Sequence, residues 1–386
     1  MATVVYALSG EGRGHATRAQ TIIEELRAQH DIKVYAYGQA ADFLAPIYRA
    51  TQVEVRRIPG LQFHYTGRGS LDYFRTLLSS TPYLLQLRSR VDGLCLELAR
   101  DAPALVITDF EPLLPRAARR LGIPFISLDH QHFLTSYDLS ALPARLRYYA
   151  TCLRPWVQLY YRGQAHSIVS SFYEAPLLAA RCRDTTRVGV LLRSEILGAR
   201  PSHGPHLVAY VRRHVPARFL DALIELGHPV HVYGLGVQTS RGRVSFHAID
   251  AKRFVDDLAS CRALVCTAGN QLVGEALYLG KPVLGLPEAG NFEQAINAHF
   301  LQASGMGHTL AMHAIDVPKL KRFLGRVELL RERIDPRAIC GNAATSAVLC
   351  EYLRRVAPRN GAARAYPPLQ EPRANRARGG GGYVAT

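Results

Sequence analysis

The sequence predicts an α/β protein made of two doubly wound domains in series that face a cleft. Three observations predict it. Short apolar runs alternate with segments of helical spacing over residues 1–356, the pattern of parallel sheets covered by helices. The alternation restarts after a turn-rich linker, Ala-Arg-Pro-Ser-His-Gly-Pro at 199–205. The length of 386 residues exceeds one ordinary core and suits two. The expected units are therefore 1–198, the linker, 206–340, a helix over 341–356 and a basic Gly/Pro/Arg-rich tail over 357–386. That tail is too poor in apolar residues to bury a core and is expected to be disordered.

In the first unit, Thr3–Ala7 is a β-rich run followed by a glycine-rich loop, Ser9–His15. Ala19, Ile22, Ile23 and Leu26 then recur at helical spacing within His15–Arg27. Ile32–Tyr37 and Val53–Ile58 read as strands. Residues 70–100 read as one long helix or two, with Leu71, Phe74, Leu77 and Leu78 on one face and Pro82 as the break. Ala104–Thr108, Pro112–Arg120 and Pro124–Leu128 continue as strand, helix and strand. Ser167–Ser171 and Arg187–Leu192 close the sheet. The second unit runs through strand Leu207–Val211, helix Pro216–Leu226, strands Pro229–Tyr233 and Val244–His247, and helix Phe254–Ser260. Strands Leu264–Thr267 and Pro282–Pro287 follow, then helices Phe292–Ser304, Val317–Arg333 and Ala344–Val356.

Residues 267–298 carry the most chemistry. Gly269 ends a buried strand and opens a helix, and a glycine turn at a helix start presents free N–H groups and a positive dipole end to an anion. Glu275 lies about two turns into that helix. Glu293, Gln294 and Asn297 follow the next strand. The set suits a ligand with phosphates at one end and hydroxyls at the other. In the first unit, Ser9–His15 reads Gly-x-Gly-x-Gly rather than a dinucleotide fingerprint, and strand two lacks the acid that a ribose needs. His15 sits at a helix start at the mouth of the cleft, where a neutral imidazole can act as a general base. Asp109 ends the neighbouring strand and can orient that ring. The alternatives are that His15 only packs at the helix start and that Asp109 caps the helix near Pro112, with Glu111 competing for Asp109's role.

The bulk numbers narrow the class. A hydrophobic content of 48% is that of a globular protein, and no run approaches a membrane span. Residues 1–10 lack a basic segment, so no signal peptide is expected. Seven scattered cysteines without Cys-x-x-Cys fit reduced thiols and a cytoplasmic setting. The net charge of +16 admits nucleic acid, an anionic membrane or phosphorylated substrates. No nucleic-acid module is visible, and the charge is spread over folded elements, so no nucleic-acid partner is expected. Arg145, Arg147, Arg154 and Arg162 interleave with Tyr148, Tyr149, Trp156, Tyr160 and Tyr161. That composition suits peripheral contact with a membrane, or else a partly buried helix pair with solvated arginines.

Together these two regions resemble the GT-B glycosyltransferases, most nearly the UDP-glucuronosyl/UDP-glucosyltransferases and the bacterial N-acetylglucosaminyltransferase that completes lipid II. The Gly-Glu-Gly-Arg-Gly-His-Ala-Thr-Arg run looks like a prokaryotic branch of them. The resemblance implies two Rossmann-like domains and an inverting transfer from a nucleotide sugar, most often a UDP-sugar. The acceptor would be a small molecule or lipid-linked. It implies His15 as base with Asp109 as partner. Thr267, Gly269 and Asn270 would form the diphosphate turn, Glu275 would hold ribose, Glu293 and Gln294 the sugar, with Asn297 following, and Ile249 would lie near the uracil edge. Gly12, Gly14, Asp129, His130 and His132 would line the acceptor side. The plant enzymes' His-Cys-Gly-Trp-Asn-Ser box is absent, so Arg212 or Arg213 is expected to supply positive charge. No cofactor or metal is expected: there is no Asp-x-Asp signature, and the His-x-His of 130 and 132 has no evident third ligand. The rival expectations are a UDP-sugar 2-epimerase of the same fold, a basic nucleic-acid-binding protein and a catalytically dead sugar-nucleotide sensor.

Overall fold

In the computed structural model the structure describes residues 1–61, 64, 73–160, 162–212 and 215–356. The expected disordered tail, Leu71, Tyr161 and Arg213 therefore lie outside the described residues, as do the side chains of Phe74 and Leu77.

The first half alternates β1 (Thr3–Leu8), α1 (Arg13–Leu26), β2 (Asp31–Ala36), α2 (Gly38–Tyr48), β3 (Glu54–Arg57), α3 (Tyr73–Leu85) and α4 (Leu87–Asp101). It continues through β4 (Leu105–Asp109), α5 (Leu113–Arg120), β5 (Phe125–Asp129), α6 (Phe133–Ser136), α7 (Ala144–Tyr160), β6 (His166–Ser170), β7 (Thr185–Val188) and α8 (Ser194–Leu197). All pairings are parallel, in the order β3-β2-β1-β4-β5-β6-β7. Every residue of β4 and β5 is buried, which is why they read as unbroken runs rather than alternating ones: helices cover both faces.

The second half runs β8 (Leu207–Tyr210), α9 (Ala217–Glu225), β9 (Val230–Tyr233), β10 (Val244–His247), α10 (Ala251–Ser260), β11 (Ala263–Cys266), α11 (Asn270–Tyr278), β12 (Val283–Gly285), α12 (Phe292–Ala303) and β13 (Gly307–Thr309). Helices α13 (Val317–Leu324), α14 (Val327–Arg331), α15 (Pro336–Ile339) and α16 (Asn342–Val356) complete it. Its parallel sheet has the order β10-β9-β8-β11-β12-β13. In both sheets the order reverses beside the first strand of that half, the switch point at which such sheets take ligands at their carboxyl ends.

One apolar cluster joins the two sheets: Phe133, Tyr173 and Val190 from the first half pack with Leu264, Val273 and Leu277 from the second. The last helix, α16, crosses back, and its Leu349 and Leu353 pack with Ile22 and Ile23 of α1 on the first sheet.

Some expectations change. The helix expected over Val317–Arg333 is two, interrupted between α13 and α14 at Gly325–Arg326, where the Gly325 and Arg326 N–H groups bond back to Lys321 and Phe323. The break in residues 70–100 falls at Gln86, with Pro82 inside α3. The Leu78 side chain, expected on a buried face, is 57% exposed. Among the described residues no helix is long and apolar enough to cross a membrane.

Candidate active site

The register of β1 against β4 sets Leu8 beside Asp109, and the Ser9 N–H bonds the Asp109 carbonyl at 2.9 Å. The first loop and the end of β4 are thus held edge to edge. Gly12 turns the chain into α1 at φ +80°, a conformation that costs glycine little. His15 then lies in the first turn of α1. Its Nδ1 is 2.8 Å from Asp109 Oδ1. Asp109, fully buried, can only accept as a carboxylate, so the ring's Nδ1 donates to it.

A third member was not foreseen. Arg18, one turn along α1 and 3% exposed, grips the same carboxylate with Nε on Oδ2 and Nη2 on Oδ1, both at 2.8 Å. Burial works against its charge, but Asp109 outweighs burial and holds the guanidinium firmly protonated. Asp109 therefore serves two donors at once. The competing helix-start role belongs to Glu111, whose carboxylate accepts the Leu113 and Leu114 N–H groups at 2.8 Å each. Burial pushes its carboxyl up to about 7, against the pull of those bonds. Between the two acids the chain reverses at Phe110, φ +54°, whose ring stacks on Tyr160 at 4.1 Å.

A cavity of about 740 Å³ opens between the two halves. His15, Gly12, Gly14 and His130 line it from one side. Thr267, Gly269, Asn270, Glu275, Glu293, Gln294, Arg212 and Ile249 line it from the other. The glycines leave room at this seam: a Cβ on Gly12 would stand 3.2 Å from the Arg212 guanidinium, and one on Gly14 would stand 3.5 Å from Gln271 Cβ.

On the second half, α11 starts at Asn270 with Gly269 as its cap and no capping side chain, which leaves N–H groups free to meet an anion. The Asn270 side chain is not free. It accepts from the Phe172 N–H and donates to the Ser170 carbonyl, both at 3.1 Å, and so clasps the first half. Gln271 does the same, donating to the Leu191 carbonyl at 2.8 Å and to Glu275 at 3.2 Å. Glu275 also faces Arg193 at 3.5 Å, a cation that comes from the first half and was not expected. On α12, Glu293 accepts from Gln131 across the seam at 3.1 Å. Gln294 is spent on its own loop, accepting from the Glu288 N–H at 2.8 Å and donating to that carboxylate at 3.0 Å. Glu288 in turn faces Arg212 at 3.4 Å.

Four expected site residues do not line the cavity: Asp109, which stands behind His15, and Asn297, Asp129 and His132. Asn297 is fully buried and ties the seam together, bonding His130 Nε2 at 2.9 Å, the Tyr173 hydroxyl at 3.2 Å and the Ala268 carbonyl at 3.1 Å. Asp129 and His132 are buried against each other, with the His132 N–H and ring both on the Asp129 carboxylate. The His-x-His pair is thereby divided, because Asp129 turns His132 back while His130 faces the seam. Burial holds the His130 ring's pKa below its ordinary value, against the pull of Glu293 and Asn297. The rest of the first-half wall mixes apolar residues, Phe43, Leu84, Leu87, Leu153 and Trp156 among them, with polar and charged ones such as Glu11, Arg13, Thr76 and Arg116.

The model of glycosyl transferase family 1 matches residues 2–328. The chain belongs to that family. Among curated proteins it is 24% identical over 342 residues to an uncharacterized glycosyltransferase of Methanosarcina mazei, covering 80% of this chain and 85% of that one. A Methanosarcina acetivorans relative of the same description is 23% identical. Among solved structures, CalG4, the calicheamicin glycosyltransferase, superposes with a TM-score of 0.63 at 19% identity, over 93% of this chain and 100% of that one. The glycotransferase of kitacinnamycin superposes at 0.62 and 16% identity, over 91% and 99%. The chain therefore has the GT-B fold and is a glycosyltransferase by family.

Proposed function

We propose that this glycosyltransferase moves a sugar from a UDP-sugar to an acceptor hydroxyl by direct inverting displacement, without a catalytic metal. The observation that carries the reading is the His15–Asp109–Arg18 set facing the capless start of α11 and the carboxylates Glu275 and Glu293 across one cavity. His15 Nε2 takes the acceptor's proton, and the acceptor oxygen bonds to the anomeric carbon from the face opposite the diphosphate. The carbon–oxygen bond to the diphosphate breaks, and the leaving charge is met by the α11 N–H groups, the helix dipole and Arg212. Glu275 suits the ribose hydroxyls, Glu293 the sugar, and Ile249 the base edge. The apolar stretch of the first-half wall, Leu84, Leu87, Leu153 and Trp156, favours an acceptor that carries an apolar group, either a small molecule or a lipid. Exposed Leu85, Trp156 and Leu159 beside that wall favour a lipid presented at an anionic membrane, with the enzyme in the cytoplasm.

A thermal-shift screen of nucleotide sugars tests the donor. A binder at 100 times its dissociation constant stabilises by about 2.7 kcal/mol, so UDP-sugars should raise the transition and other nucleotide sugars should not. The anomeric configuration of the product, read by NMR, tests the displacement. Retention of configuration, or turnover lost on chelation at saturating donor, would overturn the corresponding part of the reading.

A further inference from the structure

Away from the cavity, three separate elements of the second sheet bring two imidazoles and a carboxylate together. His206 immediately precedes β8, His231 lies on β9 and Asp257 lies on α10. One donor atom from each falls within 4.8 Å of the others. His231 Nδ1 stands 2.9 Å from Asp257 Oδ2, yet without the alignment of a hydrogen bond. Two donor atoms at that separation that do not point at one another are placed as ligands of a shared ion are. The rings of His206 and His231 stack at 4.6 Å and 20°. The carboxylate is held by the Tyr233 hydroxyl, and His206 Nε2 is anchored 3.0 Å from the Asp257 carbonyl. A ligand set fixed by such outer bonds is what metal centres use.

We propose that His206, His231 and Asp257 form a site for a divalent transition-metal ion, with zinc the best match to two imidazoles and one carboxylate. Zinc sits about 2.0–2.2 Å from such ligands, so tetrahedral donors lie roughly 3.3 Å apart. Binding would draw the three donors closer than their present spread and turn the stacked rings so that both ring planes meet at the ion. The side chains of His231 and Asp257 are 28% and 17% exposed, so the cluster lies near the surface although His231 Nδ1 itself is buried. The ion fastens α10 to β8 and β9. The same helix carries Ala251 and Phe254 into the cavity wall beside Ile249, so the ion stiffens that wall without touching the reacting groups. No local motif announces the site, because its ligands are 25 and 26 residues apart in sequence, at positions 206, 231 and 257.

The test uses the full chain with exposed Cys152, Cys182 and Cys350 replaced by serine, since thiolates also bind zinc. Chelator-treated protein is titrated with zinc by calorimetry and melted with and without the ion. The unsubstituted site should bind roughly one equivalent more than His231→Ala or Asp257→Asn and should melt higher with zinc, whereas the variants should not respond. If either of those variants fails to fold, His206→Gln supplies the comparison. Equal stoichiometry in all variants, or no zinc-dependent rise in melting temperature, would overturn the proposal. Turnover at saturating donor should be the same in His231→Ala, so failure here is separable from failure of the glycosyl-transfer reading.

Discussion

Replacing Asp109 by Asn probes the proposed base with almost no change of shape. Asp109 accepts three bonds of 2.8 Å, from His15 Nδ1 and Arg18 Nη2 on Oδ1 and from Arg18 Nε on Oδ2. An amide offers one accepting and one donating group. With its oxygen in the Oδ1 place, its NH₂ meets the Arg18 Nε–H. Turned over, its NH₂ meets His15, whose ring must then offer a lone pair at Nδ1 and carry its proton on Nε2, the nitrogen that has to receive the acceptor's proton. Either way Arg18, 3% exposed, loses its counter-charge. Removing one partner of a buried ion pair costs about 3–5 kcal/mol. The wrong histidine tautomer in a comparable His–Asp pair lowers turnover roughly 10⁴-fold, about 5.4 kcal/mol at 1.36 kcal/mol per decade. Asp109→Asn should therefore lose about 3–5 kcal/mol in urea unfolding followed by circular dichroism. Its kcat should fall about 10²–10⁴-fold in a sugar-transfer assay. Donor affinity should hold, because Asp109 does not line the cavity. A variant that shows the stability loss but keeps kcat within about threefold of the parent would refute the proton-transfer role.

Three further outcomes follow from the geometry. Because Glu111 is raised from 4.5 to about 7 in the fold, its contribution is fully present below pH 4.5 and is lost as pH rises through about 7; the stability difference between the parent and Glu111→Gln, from urea midpoints, should fall over that window, and a difference that rises with pH contradicts the assignment. A methyl group on Gly274 of α11 would collide with Val190 of the first half, so Gly274→Ala should cost about 1–3 kcal/mol and Val190→Ala should recover part of it; a neutral Gly274→Ala would show that the seam is loosely packed. Leu85 is 81% and Trp156 56% exposed, and with either changed to Asp the protein should no longer sediment with phosphatidylglycerol vesicles; unchanged sedimentation, or none by the parent, counts against the membrane-presented acceptor.

Much of the fold is legible in the chain because the sheets are covered on both faces, so runs such as Leu105–Asp109 and Phe125–Asp129 stand out from the helical segments around them. What escaped was short or locally contradicted. Strand β13 is three residues at a sheet edge, half-buried beyond Gly307, and α2 contains Pro46. The site was legible where it sits at strand ends, since glycine turns and acids there have few structural uses. Arg18 escaped because an arginine one turn into a helix of a strongly basic chain looks solvated, and only the β1–β4 register reveals the carboxylate beneath it. In sequence Asn270 and Asn297 read as ligand contacts, but their side-chain partners include Ser170, Phe172, His130 and Tyr173, some 98 to 167 residues away. No local pattern encodes a clasp between halves.

The measurement closest to the central claim compares His15→Ala with the parent in two assays on the same preparation, calorimetric binding of the donor and rate of sugar transfer. Loss of a positioned base costs typically 10²–10⁴-fold. Transfer should fall by about that factor while the donor binds as before, because the groups proposed to hold the donor line the other wall of the cavity. Undiminished transfer, or loss of donor binding together with transfer, would contradict the division of labour between the two halves.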